Sequence, residues 1–309
     1  MNLGGAVVTK TAIEKTAIAI AAIAALTAAP VSATAVLAAD MAVKAPAAAG
    51  CVPAVDGVNG KLGGFGGETG GKTYAAGEGA IDLPLGCAFG AQIDAVAGGF
   101  DDRFIGTVAG HLFWRNPAQG LLGAYGDFTA WSQFGGVHAA HVAPEGEAYL
   151  GRWTLQGVAG VEFGNSQSGT VGPIIQTYNV RTRFFDQVNL GFYVTDNVEI
   201  YAGHRDLGGL NAAAFGAEWG IPLGRDMMAG LFAEGQVGAR PANAAWGGLR
   251  LYFGQKDKTL IRRHREDDPP IWNNGSNAIN NNGSQAPAPP AAPSCTPPLT
   301  LVNGRCVAL

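Results

Sequence analysis

Two stretches place histidine beside groups that could make it reactive: His138 with His141, and His204-Arg205-Asp206. A histidine next to an aspartate can act on water as a general base, and two histidines with a carboxylate can bind a metal. The spacing works against both, because residues three apart in a strand face opposite sides and converge only at a loop or bulge. Serine adds little. Ser132, Ser166 and Ser168 have no obvious paired histidine, and no GxSxG elbow occurs. The run Gly63-Gly64-Phe65-Gly66-Gly67 is not followed by the Lys-Ser/Thr pair of a phosphate-binding loop, so its glycines read as allowing close strand packing. CxxC pairs are absent, which removes the usual zinc spacing. The expectation is a protein with no catalytic, metal-binding or cofactor-binding residue.

The charged residues are more informative when set against their neighbours. Val198, Ile200 and Ala202 alternate with Glu199, Tyr201, Gly203 and Arg205, and Leu249, Leu251 and Phe253 alternate with Arg250 and Tyr252. Val188, Leu190, Phe192 and Val194 do the same against Asn189, Gly191 and Tyr193. A period of two puts apolar groups on one face of a strand and polar groups on the other. Twelve such stretches start near Lys61, Tyr74, Phe89, Phe104, Leu121, His141, Leu155, Arg181, Val198, Ala212, Met227 and Ala245. After the even strands come compact turns such as Asn116-Pro117-Ala118 and Gly151-Arg152, while the links after the odd strands vary, the longest running from Asn165 to Tyr178.

Short turns at one end and longer loops at the other are the pattern of an outer-membrane barrel. The aromatic residues support it. Phe89, Trp114, Trp153, Trp219 and Phe253 fall near the short-turn ends, and Phe104, Phe128, Phe163 and Phe215 toward the other ends, as two interfacial girdles would. A soluble β-sandwich would alternate too, but it needs no rings at both borders. The fold class expected is therefore all-β, an antiparallel transmembrane barrel of about 12 strands with a disordered C-terminal extension.

In such a barrel the polar face lines the lumen. The acids placed there are Glu78, Asp82, Asp94, Asp127, Glu145, Glu147, Glu162, Glu199, Glu218 and Glu234; the bases are Lys61, Arg183, Arg205 and Arg250, with His111 as a further candidate. Ten acids against four bases predict a negative interior and a channel that prefers cations. The alternative is a structural barrel without an open pore, anchoring the envelope or presenting loops. Nucleic acid is excluded as a partner by the net charge of -4, which leaves no basic excess. Glycine, 47 of 309 residues, keeps no collagen period, and 47% hydrophobic content argues against a wholly disordered chain.

The termini complete the plan. Lys10 and Lys15, the uncharged run Ala17 to Ala29 and the small residues before Asp40 form an export signal over residues 1–39. A periplasmic segment, residues 40–57, leads into the barrel, residues 58–254. A charged and Asn/Pro-rich linker spans 255–294, and 295–309 is a candidate disulfide-closed loop. Export makes disulfides among Cys51, Cys87, Cys295 and Cys306 reasonable, with three pairings open. Pro269 to Pro293 is too poor in apolar residues to bury a core, so a solvated tail is preferred over a tether to the cell wall.

Ala39-Asp40-Met41-Ala42-Val43-Lys44-Ala45-Pro46, followed by a glycine-rich alternating body, resembles the porin-like small outer-membrane barrels of Gram-negative bacteria. Trp246-Gly247-Gly248-Leu249-Arg250-Leu251-Tyr252-Phe253 is similar to the last-strand signal that those proteins present to the barrel-insertion machinery. The resemblance implies passive diffusion of small polar solutes across the outer membrane, with outer-membrane lipid as surroundings and oligomeric state open. In that family the chain usually stops at the terminal aromatic, whereas here 309 − 253 = 56 residues follow.

Overall fold

A computed structural model describes residues 52–254, 256–289, 299–302 and 305–308. The expected export signal, Cys51 and Cys295 lie outside the described residues. Alternation of apolar and polar side chains produces first a run of seven strands, each of 11–14 residues: β1 (Asn59–Thr69), β2 (Lys72–Pro84), β3 (Phe89–Phe100), β4 (Arg103–Asn116), β5 (Gly120–Trp131), β6 (Val137–Leu150) and β7 (Trp153–Gly164). A hairpin of β8 (Ser166–Val171) and β9 (Ile174–Asn179) then leaves the wall. The wall resumes with β10 (Arg183–Thr195), β11 (Val198–Leu207), β12 (Leu210–Gly224), β13 (Met227–Gly238) and β14 (Ala244–Phe253).

The twelve wall strands close into one antiparallel barrel, with β14 returning to β1 in a ladder from Gly60↔Phe253 to Thr69↔Ala244. Closure satisfies every edge, which lipid cannot do. Most expected strand starts lie within two residues of the observed ones; the sixth starts at Val137 rather than His141. The β8–β9 hairpin occupies the Asn165–Tyr178 link, which the alternation pattern reads as a plain loop. Several turns on the long-loop side are also tight. Gly70 and Gly71 (φ 59° and 83°) and Asp101 and Asp102 (φ 49° and 59°) both have positive φ at two successive residues, the mark of the type I′ hairpin that suits strand twist.

Outside, the barrel is greasy. Leu122 and Leu249 are 65% and 62% exposed, and both expected sets of girdle aromatics point outward at the borders of this belt. Such a surface belongs in lipid, so the barrel spans a membrane with its strands. Among the described residues no helix is long and apolar enough to cross one.

The extension after β14 is present, but as far as residue 289 it is folded rather than disordered. It forms α1 (Leu260–Glu266), α2 (Asn274–Asn281) and β15 (Gly283–Pro287), and the last strands β16 (Leu299–Val302) and β17 (Arg305–Ala308) pair with each other. Strand β15 adds to the edge of β9. Cys87 and Cys306 are each disulfide-bonded, and among the described residues no cysteine is free.

Placing a charge in the belt tests the membrane assignment. Val108, 60% exposed midway along β4, should tolerate arginine poorly, at a cost of about 2–4 kcal/mol. Val108→Arg refolded into lipid vesicles and titrated with denaturant should show that loss; an unchanged midpoint would place Val108 outside the hydrocarbon.

Candidate functional site

The interior wall is built by register. Asp127, His141, Glu162 and Arg183 are direct cross-strand neighbours on β5, β6, β7 and β10, so acid and base alternate around the lumen. His141 Nδ1 lies 2.9 Å from Asp127 Oδ1, and its Nε2 lies 3.5 Å from Glu162 Oε2. His111 sits in the same way between Asp94 (3.0 Å) and Glu145 (2.8 Å). Across the closing seam Arg250 is opposite Gly63, which is in turn opposite Glu78. Because Gly63 carries no side chain, Arg250 Nε reaches over it to donate to Glu78 Oε1 at 2.5 Å, while Nη1 donates to Glu218 Oε2 at 2.8 Å. The Tyr252 hydroxyl also donates to Glu218, at 2.5 Å. Arg205 donates to Asn189 Oδ1 at 2.6 Å and lies 3.5 Å from Glu234.

All thirteen residues assigned to the wall, from Glu78 to Arg250, have side chains inside the barrel, Lys61 and His111 with them. Their surroundings differ from the expectation. The acids are answered by bases or hydroxyls: Glu147 accepts from Tyr149 at 2.8 Å, and Glu199 lies 3.4 Å from His264. Asp82 is the exception, with both carboxylate oxygens buried and no hydrogen-bond partner among the described residues. A wall paired in this way lacks the free negative charge that a cation preference requires.

The lumen is filled by the chain's own tail. At the short-turn mouth, the Leu260 amide donates to Asn197 Oδ1 (3.0 Å), Arg263 to the Asp226 carbonyl (2.9 Å) and Arg265 to the Gly151 carbonyl (2.8 Å), so α1 is tied to three turns. Deeper in, Lys61 Nζ meets Asp268 Oδ2 at 2.5 Å and Arg115 donates to the Asp267 carbonyl at 3.0 Å. Trp272 Nε1 points at Glu145 (3.4 Å), while Asn274 donates to Asp127 (3.2 Å) and accepts from Gln187. At the far end Asn282 donates to Glu162 (3.1 Å) and accepts from Arg183 (2.8 Å), and Asn281 donates to the Leu207 carbonyl (2.8 Å).

Every residue of α2 is buried, although half of the helix is asparagine. Poverty in apolar residues forbids burial only against an apolar core. Here the wall is polar, and an amide can both donate and accept without bringing a charge that needs neutralising. Gly275 lets the helix lie directly on β5, since a Cβ there would collide with Thr129. Ala278 and Ile279 close the top against Tyr74, Phe100, Trp131 and Tyr178, whose rings follow one another at 5.7, 5.0 and 4.9 Å. Beside the tail the lumen keeps a cavity of about 110 Å³ bordered by Gln187, Asn189, Glu199, Arg205, Glu218 and Trp272. The sequence signal for the plug is the asparagine run Asn273-Asn274 to Asn280-Asn281-Asn282 itself.

The histidine stretches do not converge. His141 points into the lumen, whereas His138 faces outward and stacks on Phe128 at 5.5 Å. His204 is on the outer surface between Asp186 (2.7 Å) and Asn211 (2.8 Å), so both ring nitrogens are occupied.

No family model matches the chain, and no curated protein matches it. Among solved structures it is similar to an outer-membrane channel from Pseudomonas putida F1 (12% identity, 66% of this chain and 97% of that one, TM-score 0.47). It is also similar to the KdgM porin (6%, 63% and 99%, 0.43) and to the translocator domain of the autotransporter NalP from Neisseria meningitidis (10%, 64% and 87%, 0.43).

Two outcomes test the network. Arg250→Ala leaves Glu78 and Glu218 without their shared base, and removing one member of a buried cluster costs about 3–5 kcal/mol. Adding Glu218→Gln should return part of it in a double-mutant cycle; strictly additive losses would mean the two do not interact. The second outcome concerns pH. Burial pushes the Asp267 carboxyl up to about 6, with Lys258 at 2.5 Å pulling the other way, against an ordinary value of 3.8. The docked tail thus holds a proton that the free tail releases, an advantage full below pH 3.8 and lost as pH rises through about 6. Relative to Asp267→Asn, the native protein should lose roughly 3 kcal/mol of stability between about pH 4 and 6 in thermal melts; parallel curves would contradict this.

Proposed function

We propose that the protein is an outer-membrane channel of a Gram-negative envelope, passing small polar solutes by diffusion, and that its own C-terminal segment keeps it closed in the state described. It is exported by the signal in residues 1–39 and inserted by the barrel-insertion machinery acting on the Trp246–Phe253 strand. Outer-membrane lipid surrounds the belt. The observation that carries the reading is the continuous polar wall behind a greasy exterior, occupied by a polar segment that the described contacts hold without covalent bonds. A purely structural barrel would gain more by filling its lumen with apolar side chains, because buried charges are repaid only when every partner is in place.

Paired acids and bases make charge selectivity weak, so the channel is not proposed to prefer cations. A tether to the cell wall is not proposed either, because residues 260–282 are engaged at the mouth and inside the barrel.

Planar-bilayer recording provides the test. The native protein should give rare, brief openings. Asp268→Ala, Asn274→Ala and Asn282→Ala together release the tail at three depths and should raise open probability at least about tenfold, with a reversal potential near zero in a salt gradient. If that triple variant folds and inserts yet stays silent over many insertions, the channel reading fails.

A further inference from the structure

The tail does more than fill the lumen: it runs through it in one direction. Helix α1 touches turns of the short-turn mouth, at Gly151, Asp196, Asn197 and Asp226. Asp268 lies just inside that mouth against Lys61, which pairs with Tyr252 near the end of β14, and Trp272 lies at mid-height against Tyr125. Helix α2 and Asn282 reach residues of the opposite mouth, where Asn280 donates to the Pro241 carbonyl (2.6 Å) and Arg183 binds Asn282. Strand β15 then pairs with β9, and the Ala288 amide donates to the Pro173 carbonyl at 2.8 Å, beside the turn of the β8–β9 hairpin. The distance is sufficient. Two short helices at about 1.5 Å per residue and the extended link between them give roughly 45 Å of path, against an apolar belt of about 25 Å.

After residue 289 another 309 − 289 = 20 residues follow, including the β16–β17 hairpin and the disulfide-bonded Cys306. The cavity of about 110 Å³ described beside the tail does not hold a second strand, and a path outside the barrel would put unpaired backbone into lipid. We infer that the barrel carries its own C-terminus across the membrane and presents the β16–β17 hairpin on the face opposite both ends of the barrel chain. The protein is then a surface-presentation device as well as a barrel. This holds whether or not the pore conducts.

Three single-cysteine variants and one epitope test it in intact cells with a membrane-impermeant maleimide. Ala118→Cys marks the short-turn mouth, Val171→Cys the β8–β9 hairpin and Pro289→Cys the emerging tail, all at exposed positions. Pro289→Cys should label as fully as Val171→Cys and at least about tenfold more than Ala118→Cys, which should label only after the outer membrane is permeabilised. An epitope appended to Leu309 should bind antibody on the same intact cells. The inference is overturned if Pro289→Cys, or the epitope, follows Ala118→Cys instead. A silent channel with an accessible epitope would sink the diffusion reading and leave this one standing.

Discussion

A sheet that closes on itself in lipid must turn its polar face inward, and the rest of this molecule answers to that constraint. About eight strands make a barrel just wide enough for wall side chains to fill, and twelve leave space over. The space is lined by acids and bases that are costly to leave unpaired away from bulk water, because an uncompensated buried charge costs several kcal/mol. Cross-strand rows such as Asp127–His141–Glu162–Arg183 neutralise part of the wall. The tail supplies the remainder: Asp268 answers Lys61, and His264 lies against Glu199.

These rows also fix register. A slip of one residue in any strand would carry its charged face into the lipid and its leucines into the lumen. Arg250 shows how closely the pieces depend on each other, since it spans β14, β1 and β2 only because Gly63 leaves its path open. The seam where first and last strands meet, the least local contact in the barrel, is thereby held by an ion-pair cluster as well as by backbone hydrogen bonds.

The wall is legible in the sequence because a period of two is a local signal: each strand announces which of its residues face lipid. Glu199 and Arg205 can be placed inside, and Ile200 outside, without knowing any neighbour. The plug is not legible, for the opposite reason. Whether Asn274 or Asn282 is solvated or buried depends on what surrounds it, and its partners, Asp127 and Glu162, are 147 and 120 residues away. Low hydrophobicity reads as inability to fold only under a rule that assumes an apolar core. The inward aromatics Tyr74, Phe100 and Trp131 escape notice for a related reason, since girdle logic looks only at the outer face. Counting ten acids against four bases fails because it leaves out His141 and Arg115 of the wall and His264 of the tail.

The tail is not held uniformly, and the difference bears on how closure and presentation can coexist. At the short-turn mouth the arginines and backbone amides of α1 donate to carbonyls and an amide oxygen of several turns; at the other mouth α2 is sealed by apolar packing of Ile279 among rings. Between them lie the Lys61–Asp268 pair and bonds from Arg115, Tyr125, Trp272 and Asn274 to carbonyls and carboxylates, each of which water can replace at a net cost of about 1–3 kcal/mol. A conducting path therefore does not require the tail to leave. It requires the aromatic seal around α2 to loosen and water to take over the bonds in the middle, while α1 stays fixed and the chain stays threaded. Withdrawal of the whole segment would expose every luminal charge at once and would pull β15 from the edge of β9. Loosening in place is the smaller step.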